Sequence, residues 1–83
     1  MPDRPLRYTR HARNRMRWHA IGRDLVEMCV SNPHQVTPSV FPRHNYWLRL
    51  GTSFLRVTIA EEEDALAVVT VAVRRRGPGG ETG

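Results

Sequence analysis

Apolar positions follow two different rhythms along this chain. From residue 8 to residue 30 they recur every three or four places. Tyr8, Ala12, Met16 and then His19 or Ala20 share one side of a helix predicted over residues 10–20, while Arg13, Asn14 and Arg17 face the other way. Thr9 supplies its N-cap, because a threonine oxygen can accept from the orphaned amides of a first turn. Ile21-Gly22 makes a turn, and a second helix is predicted over residues 23–30, with Leu25, Val26 and Cys29, joined by Met28, as the buried stripe. Asn32-Pro33 stops it, since the residue before a proline is pushed away from helical angles.

Beyond Pro33 the period shortens to two. Residues 35–40 read as an edge strand, limited by Pro38 and Pro42, because proline cannot donate to a ladder. Residues 46–50 alternate around Trp47 and Arg49, Gly51-Thr52 turns the chain, and residues 54–59 alternate again with Leu55, Val57 and Ile59 on one face. The run Glu61-Glu62-Glu63-Asp64 makes the next turn, and residues 65–73, the most apolar strand, read as central. The expected architecture is α+β: two short N-terminal helices packed on a three- to four-stranded antiparallel β-sheet. One domain is expected over residues 6–74. Residues 1–5 form a flexible lead-in and residues 75–83 a disordered tail; Arg74-Arg75-Arg76 reads as a solvated strand end, with a flexible phosphate anchor as the alternative.

Size sharpens this picture. At 83 residues the chain lies near the lower limit for a self-sufficient core, and a domain of this length buries only about 60% of its unfolded surface. Cys29 is the sole cysteine, so no internal disulfide can help. Placed among Val26, Met28 and Val30, it reads as a buried thiol rather than a nucleophile. No apolar run approaches the ~20 residues of a membrane span. Sparse cysteine and the lack of a leader-like segment give the expectation of a cytoplasmic protein.

Charge adds a candidate partner. All 13 basic residues are arginine, a bias that GC-rich coding produces as readily as selection for the bidentate phosphate grip of the guanidinium. Its distribution says more. Residues 1–60 hold ten arginines against Asp3, Asp24 and Glu27, a net +7, whereas residues 61–83 hold three against five acids, a net −2. The helical half is the cationic half, which suits RNA, DNA or an acidic protein.

The chemistry-bearing residues are few. His11, His19, His34 and His44 stand at no metal-ligand spacing, and the acidic run lacks the alternating oxygens and glycine of a calcium loop. Phosphate loops, dinucleotide fingerprints and nucleophile elbows are missing from the sequence, so no cofactor is expected. What remains is metal-free RNA cleavage. That chemistry needs a group to take the 2′-hydroxyl proton, another to protonate the leaving oxygen, and cations for the transition state. His11, Arg15, His44 and Tyr46 are the candidate catalytic residues; Arg10, Arg13, Arg17, Arg43, Arg49 and Arg56 are the candidate nucleic-acid contacts. Each has a structural alternative. His11 and Arg15, one turn apart, would brace the helix, His19 would be half-buried, His34 would be a turn residue without a role, and Arg43-His44-Asn45-Tyr46 would simply open a strand. Trp18 and Trp47 would stack on bases or fill a core or partner contact.

The opening stretch from Tyr8 to Met16 resembles the H-A-x-x-R-M signature of a bacterial family called domain of unknown function 4258, through His11, Ala12, Arg15 and Met16. Later landmarks resemble it in order: Ile21, Asp24-Leu25-Val26, Asn32-Pro33, Arg56-Val57 and Val68-Val69-Thr70-Val71. The likeness covers residues 6–74. It implies a RelE/ParE-toxin-like fold, a group in which some members cleave mRNA on the ribosome, and an antitoxin-like protein partner. His11, Arg15 and Met16 match signature positions, Met16 as packing. The chain departs where the family often has R-G before the isoleucine; His19-Ala20 stands there, so a phosphate-binding role at that place would fall to a protonated His19.

Two functions follow as expectations. The first is a toxin-like domain engaging RNA or the ribosome, extending to a metal-independent mRNA endoribonuclease of a toxin–antitoxin system. The alternative is a non-catalytic interaction module that binds an acidic or antitoxin-like protein, for instance by strand addition to a weak edge. A small-molecule enzyme has no motif behind it.

Overall fold

The computed structural model describes residues 4–78. Its elements are β1 (Leu6–Tyr8), α1 (Arg10–His19), α2 (Arg23–Ser31), β2 (Gln35–Pro38), β3 (Arg43–Leu50), β4 (Ser53–Glu61) and β5 (Leu66–Arg74). The strands form one five-stranded sheet in the order β1-β5-β4-β3-β2. Strands β2 to β5 make an antiparallel meander, and β1 lies parallel to β5, so the first and last strands are neighbours.

The α+β class and both helices agree with the sequence pattern, but the sheet is five-stranded and mixed where three or four antiparallel strands were expected. The missing strand is β1. Three residues are too few to display a period of two, and their extended form comes from docking: Leu66 N–H donates to Pro5 O (2.9 Å) and Thr9 N–H to Val68 O (3.2 Å). Arg4, in the expected lead-in, reaches the Glu62 carbonyl (2.6 Å) and the Glu61 carboxylate (2.5 Å). At the other end Gly77 lies against the ring of Phe54, where an added Cβ would meet Phe54 Cζ at 2.8 Å. Residues 79–83 of the expected tail fall outside the described residues.

Thr9 caps α1 as its sequence position predicts. Its Oγ1 accepts from Ala12 N–H and lies 3.0 Å from both the Val68 and Val69 carbonyls, which share its proton. Those carbonyls flank an irregularity. Thr58 pairs with Thr70 but Ile59 pairs with Val68, so β5 carries one extra residue, Val69. This bulge re-phases the strand, and both Val68 and Val71 reach the helix side and are fully buried. The helix ends at Ala20 in the left-handed region (φ 56°), with its N–H shared by Met16 O and Arg17 O.

Helix α1 packs chiefly on β5, and α2 on β3 and β4. Between helices and sheet lies one core: Ala12 and Met16 from α1, Val26, Cys29 and Val30 from α2, and Leu48, Leu55, Val57, Ile59, Leu66, Val68 and Val71 from the sheet. The predicted face Leu55, Val57, Ile59 is this face; Met28, by contrast, stands half-exposed. Both helices lie on one side of the sheet, which leaves the other side without a helical layer.

The edge strand β2 is uncharged. Ser39 N–H donates to Arg43 O, which phases the antiparallel ladder so that Val36 and Pro38 turn their backbone outward. Pro38 has no N–H, so this edge offers Val36 as its outward donor and is blunted against further pairing.

Candidate nucleic-acid interface

The turn Gly51-Thr52 fixes the geometry of the helix-free face. Gly51 adopts φ 60°, the left-handed region that glycine enters without a side-chain penalty, and this tight turn sets Leu50 opposite Ser53. From there the register is forced. Arg49 pairs with Phe54, which pairs with Arg74; Trp47 pairs with Arg56, which pairs with Ala72; Asn45 pairs with Thr58, which pairs with Thr70. Because side chains alternate along strands, all of these residues point away from the helices. Arg49, Arg56 and Arg74 thus come from three adjacent strands in two adjacent rows, and Arg43 lies farther along β3 on the same face.

Trp47 is only 1% exposed on a face that no helix covers. The Arg56 guanidinium lies 6.0 Å from its ring centroid, and the indole N–H donates to Thr37 Oγ1 at 2.9 Å. Arginine stems can cover apolar surface, and the Arg56 side chain lies close enough to share in covering this ring, with its own Nε buried there. Arg49 is steadied by its own carbonyl neighbour, Nε donating to Gly51 O (3.2 Å), and its backbone N–H donates to His34 Nδ1 (2.9 Å). His34, expected to be idle in a turn, therefore extends the β2–β3 ladder with its side chain.

The face is electrically polar from end to end. No carboxylate occupies the outward positions of β3, β4 or β5 between the Arg49–Phe54–Arg74 row and Ala60. Acids gather at the opposite end, roughly seven residues or about 23 Å along β4. There Arg7 grips Glu62 with two bonds (3.1 and 2.6 Å), and Arg4 bonds Glu61. The Arg7 guanidinium holds the Glu62 carboxyl below its ordinary value, and Glu62 in turn raises Arg7. Arg4 and Arg7 belong to the cationic half of the sequence but serve the acidic half. Charge in the folded molecule therefore divides differently from charge along the chain.

The second group of candidates lies on α1. Arg10, Arg13 and Arg17 are exposed on its solvent side together with Asn14 and Trp18, while Ala12 and Met16 face the core. This surface and the helix-free face are on opposite sides of the sheet, so the six arginines proposed from sequence as contacts form two groups of three: Arg10, Arg13, Arg17 and Arg43, Arg49, Arg56.

The four candidate catalytic residues are placed as follows. His11 is exposed on the flank of α1, above β5. Arg15, one turn on, bonds His19 (Nη2 to Nε2, 3.3 Å), so the helical pair that forms is Arg15–His19. His44 is exposed near the start of β3, and Tyr46 is half-buried against the core on the helix side. Strands β5 and β3 are separated by β4, a backbone distance of about 10 Å. The four residues are thus distributed over α1 and β3. Cys29 donates to Tyr46 O (3.3 Å), and burial pushes its thiol up to about 12, which removes it as a nucleophile. Among the described residues, no group of three or more histidine, cysteine or acidic side chains could hold a metal ion.

Two contributors stood outside the candidate contacts. Arg74 reads in the sequence first as a strand end and only second as a phosphate anchor, and its pairing with Phe54 puts it in the arginine cluster. Phe54 itself, half-buried, is the aromatic center of that row. The two-residue turn was the available signal, since counting outward from it pairs 49 with 54 and 47 with 56. No protein-family model matches the chain, and no curated protein or solved structure matches it either. No helix among the described residues is long and apolar enough to cross a membrane.

Proposed function

We propose that this domain binds RNA through the helix-free face of its sheet. The observation that carries the reading is the cluster Arg49, Arg56 and Arg74 around Phe54, on a face with neither a helical cover nor a carboxylate in the same rows. Guanidinium groups suit phosphate oxygens through paired hydrogen bonds, while the half-buried Phe54 ring, with Gly77 packed against it, serves as the packing center between them. A single strand fits such a face, because its flexible backbone can follow cations placed across neighbouring strands. The resemblance to the domain of unknown function 4258 family, and through it to RelE/ParE-type toxins, points the same way and suggests mRNA as the RNA. We keep the reading at binding: cleavage would require His11, Arg15, His44 and Tyr46 to act together, and they are spread over α1 and β3.

Fluorescence anisotropy with a labeled single-stranded oligouridine tests it. Wild-type protein is expected to bind with a salt slope of about −0.7 per phosphate neutralized. The double variant Arg49→Gln/Arg74→Gln is expected to bind at least tenfold more weakly with a shallower slope. No binding by wild type, or equal binding and slope in the variant, discards the proposal.

A second reading, capture by an acidic or antitoxin-like protein, is favored by one specific feature. The β2–β3 connection exposes Val40 and Phe41, the latter 92% open, and Val36 and Met28 are also exposed large hydrophobics. Co-purification with the product of the adjacent gene tests this reading. A complex lost on Phe41→Ser supports it, and the lack of any complex with wild type removes it.

A further inference from the structure

We propose that α1 carries a second phosphate-binding surface, independent of the sheet face, so that one molecule bridges two RNA segments. The inference rests on the RNA-binding reading above and adds a second site and a stoichiometry to it.

The sequence of α1, Arg10 to His19, contains no acidic residue. Its solvent side carries Arg10, Arg13, Asn14 and Arg17 at helical spacings of three and four, and Trp18 beside them is 78% exposed. A solvated helix face ordinarily intersperses charges of both signs, because like charges one turn apart repel and opposite charges attract. Here Arg13 and Arg17 stand one turn apart with no carboxylate between them. The acids of the described residues are engaged elsewhere or belong to other segments: Glu61 and Glu62 pair with Arg4 and Arg7, Glu63 and Asp64 lie in the β4–β5 turn, and Asp24 and Glu27 lie on α2. Repulsion of this kind is relieved by a polyanion. An exposed indole within the same surface adds a flat ring on which a base can stack. Arginine and tryptophan together on an acid-free helix match the phosphate backbone of RNA in charge and its bases in shape.

Topology makes this site separate from the first. α1 sits on the helix side of β5, whereas Arg49, Arg56 and Arg74 project from the other side of the same sheet. The molecule measures 33 × 26 × 22 Å, so a run of phosphates lying on one surface cannot touch the other without wrapping around an edge. Two segments can be held at once.

A bridging assay with full-length protein decides the matter. Biotinylated oligouridine is fixed to beads, protein is added and washed, and a fluorescent oligouridine of the same length is then supplied. Light scattering establishes in parallel that the protein is monomeric at the working concentration. Wild type is expected to retain the fluorescent strand. Arg13→Gln/Arg17→Gln and, separately, Trp18→Ala are expected to stay on the beads but to retain at least fivefold less fluorescent strand. Because these side chains face solvent, circular dichroism should show the variants folded. If wild type binds the beads and recruits no second strand, or if the α1 variants bridge as well as wild type, the second site does not exist and the sheet-face reading stands. If wild type fails to bind the beads at all, both proposals fall together.

Discussion

On the helix side of β4, Leu55, Val57 and Ile59 are buried beneath the apolar stripes of two helices; on the other side Trp47, paired with Arg56 of the same strand, is equally buried with no helix above it. The first face is closed by hydrophobic side chains that do nothing else. The second carries an arginine whose guanidinium lies over the indole, 6.0 Å from its center. A guanidinium placed over an aromatic face gains electrostatically, and Arg56 does so with its Nε buried and the residue only partly exposed. The contrast shows how a chain of 83 residues can make a sheet serve as core on one side and as binding surface on the other. It also means that arginine substitutions on the open face must be read twice, for fold and for binding.

The largest effects should test whether the open face is packed as well as its burial indicates. Trp47→Ala is expected to cost about 3–5 kcal/mol and Ile59→Ala about 2–5 kcal/mol, both measured by urea denaturation. Total stability for a domain of this size is on the order of 4–12 kcal/mol, so either variant approaches the unfolding threshold. The comparison fails if Trp47→Ala costs no more than an ordinary surface change. Trp47→Phe keeps the ring and loses the bond to Thr37, and should cost about 1 kcal/mol for the hydrogen bond plus some packing.

Next in size is Thr9→Ala. It removes a helix cap together with the hydroxyl's hydrogen bond to the Val68 and Val69 carbonyls at the β5 bulge. Caps of this kind contribute about 0.5–2 kcal/mol, and the upper part of the range is expected here because the hydroxyl serves helix and sheet together. Thr9→Ser should restore most of the loss; a variant as unstable as alanine would mean that the methyl group, rather than the hydroxyl, matters.

Thr9 is also where sequence reasoning did best. A capping residue, an apolar stripe at helical spacing and a proline stop are local signals, and both helices follow from them. Strand β1 had no such signal: Leu6-Arg7-Tyr8 is extended because β5 lies beside it, a fact of tertiary contact. The bulge was hidden inside the continuous run Val68-Val69-Thr70-Val71, where every phase looks apolar. The binding surface was half legible. Arg49 and Arg56 fall together once the Gly51-Thr52 turn sets the register, whereas Arg74 needs the β4–β5 register, which the bulge obscures. Pairing His11 with Arg15 followed helical spacing correctly but did not anticipate that Arg15 would turn toward His19, on the half-buried side.

The smallest effect concerns the two ends of the open face. At the basic end the outward strand positions of the described residues hold arginines and no carboxylate; at the acidic end Arg7, on the same face, is committed to Glu62. That commitment has a definite pH signature. Arg7 depresses the Glu62 carboxyl below its ordinary 4.5 in the folded state, so the pair contributes stability above that ordinary value and loses it as pH falls through the depressed one. The reciprocal rise in Arg7 matters only above the ordinary arginine range, outside working conditions. Both side chains are exposed, so the contribution is small and screened by salt. Thermal midpoints from pH 6 down to pH 3 should therefore fall slightly more steeply for wild type than for Glu62→Gln, and the difference should shrink in high salt. At the basic end Arg49→Gln should leave that acid profile unchanged, since the Arg49 guanidinium bonds the Gly51 carbonyl rather than a carboxylate. If Arg49→Gln altered the acid profile as Glu62→Gln does, the two ends would be electrostatically coupled, and the division of this face into a neutralized end and a binding end would have to be abandoned.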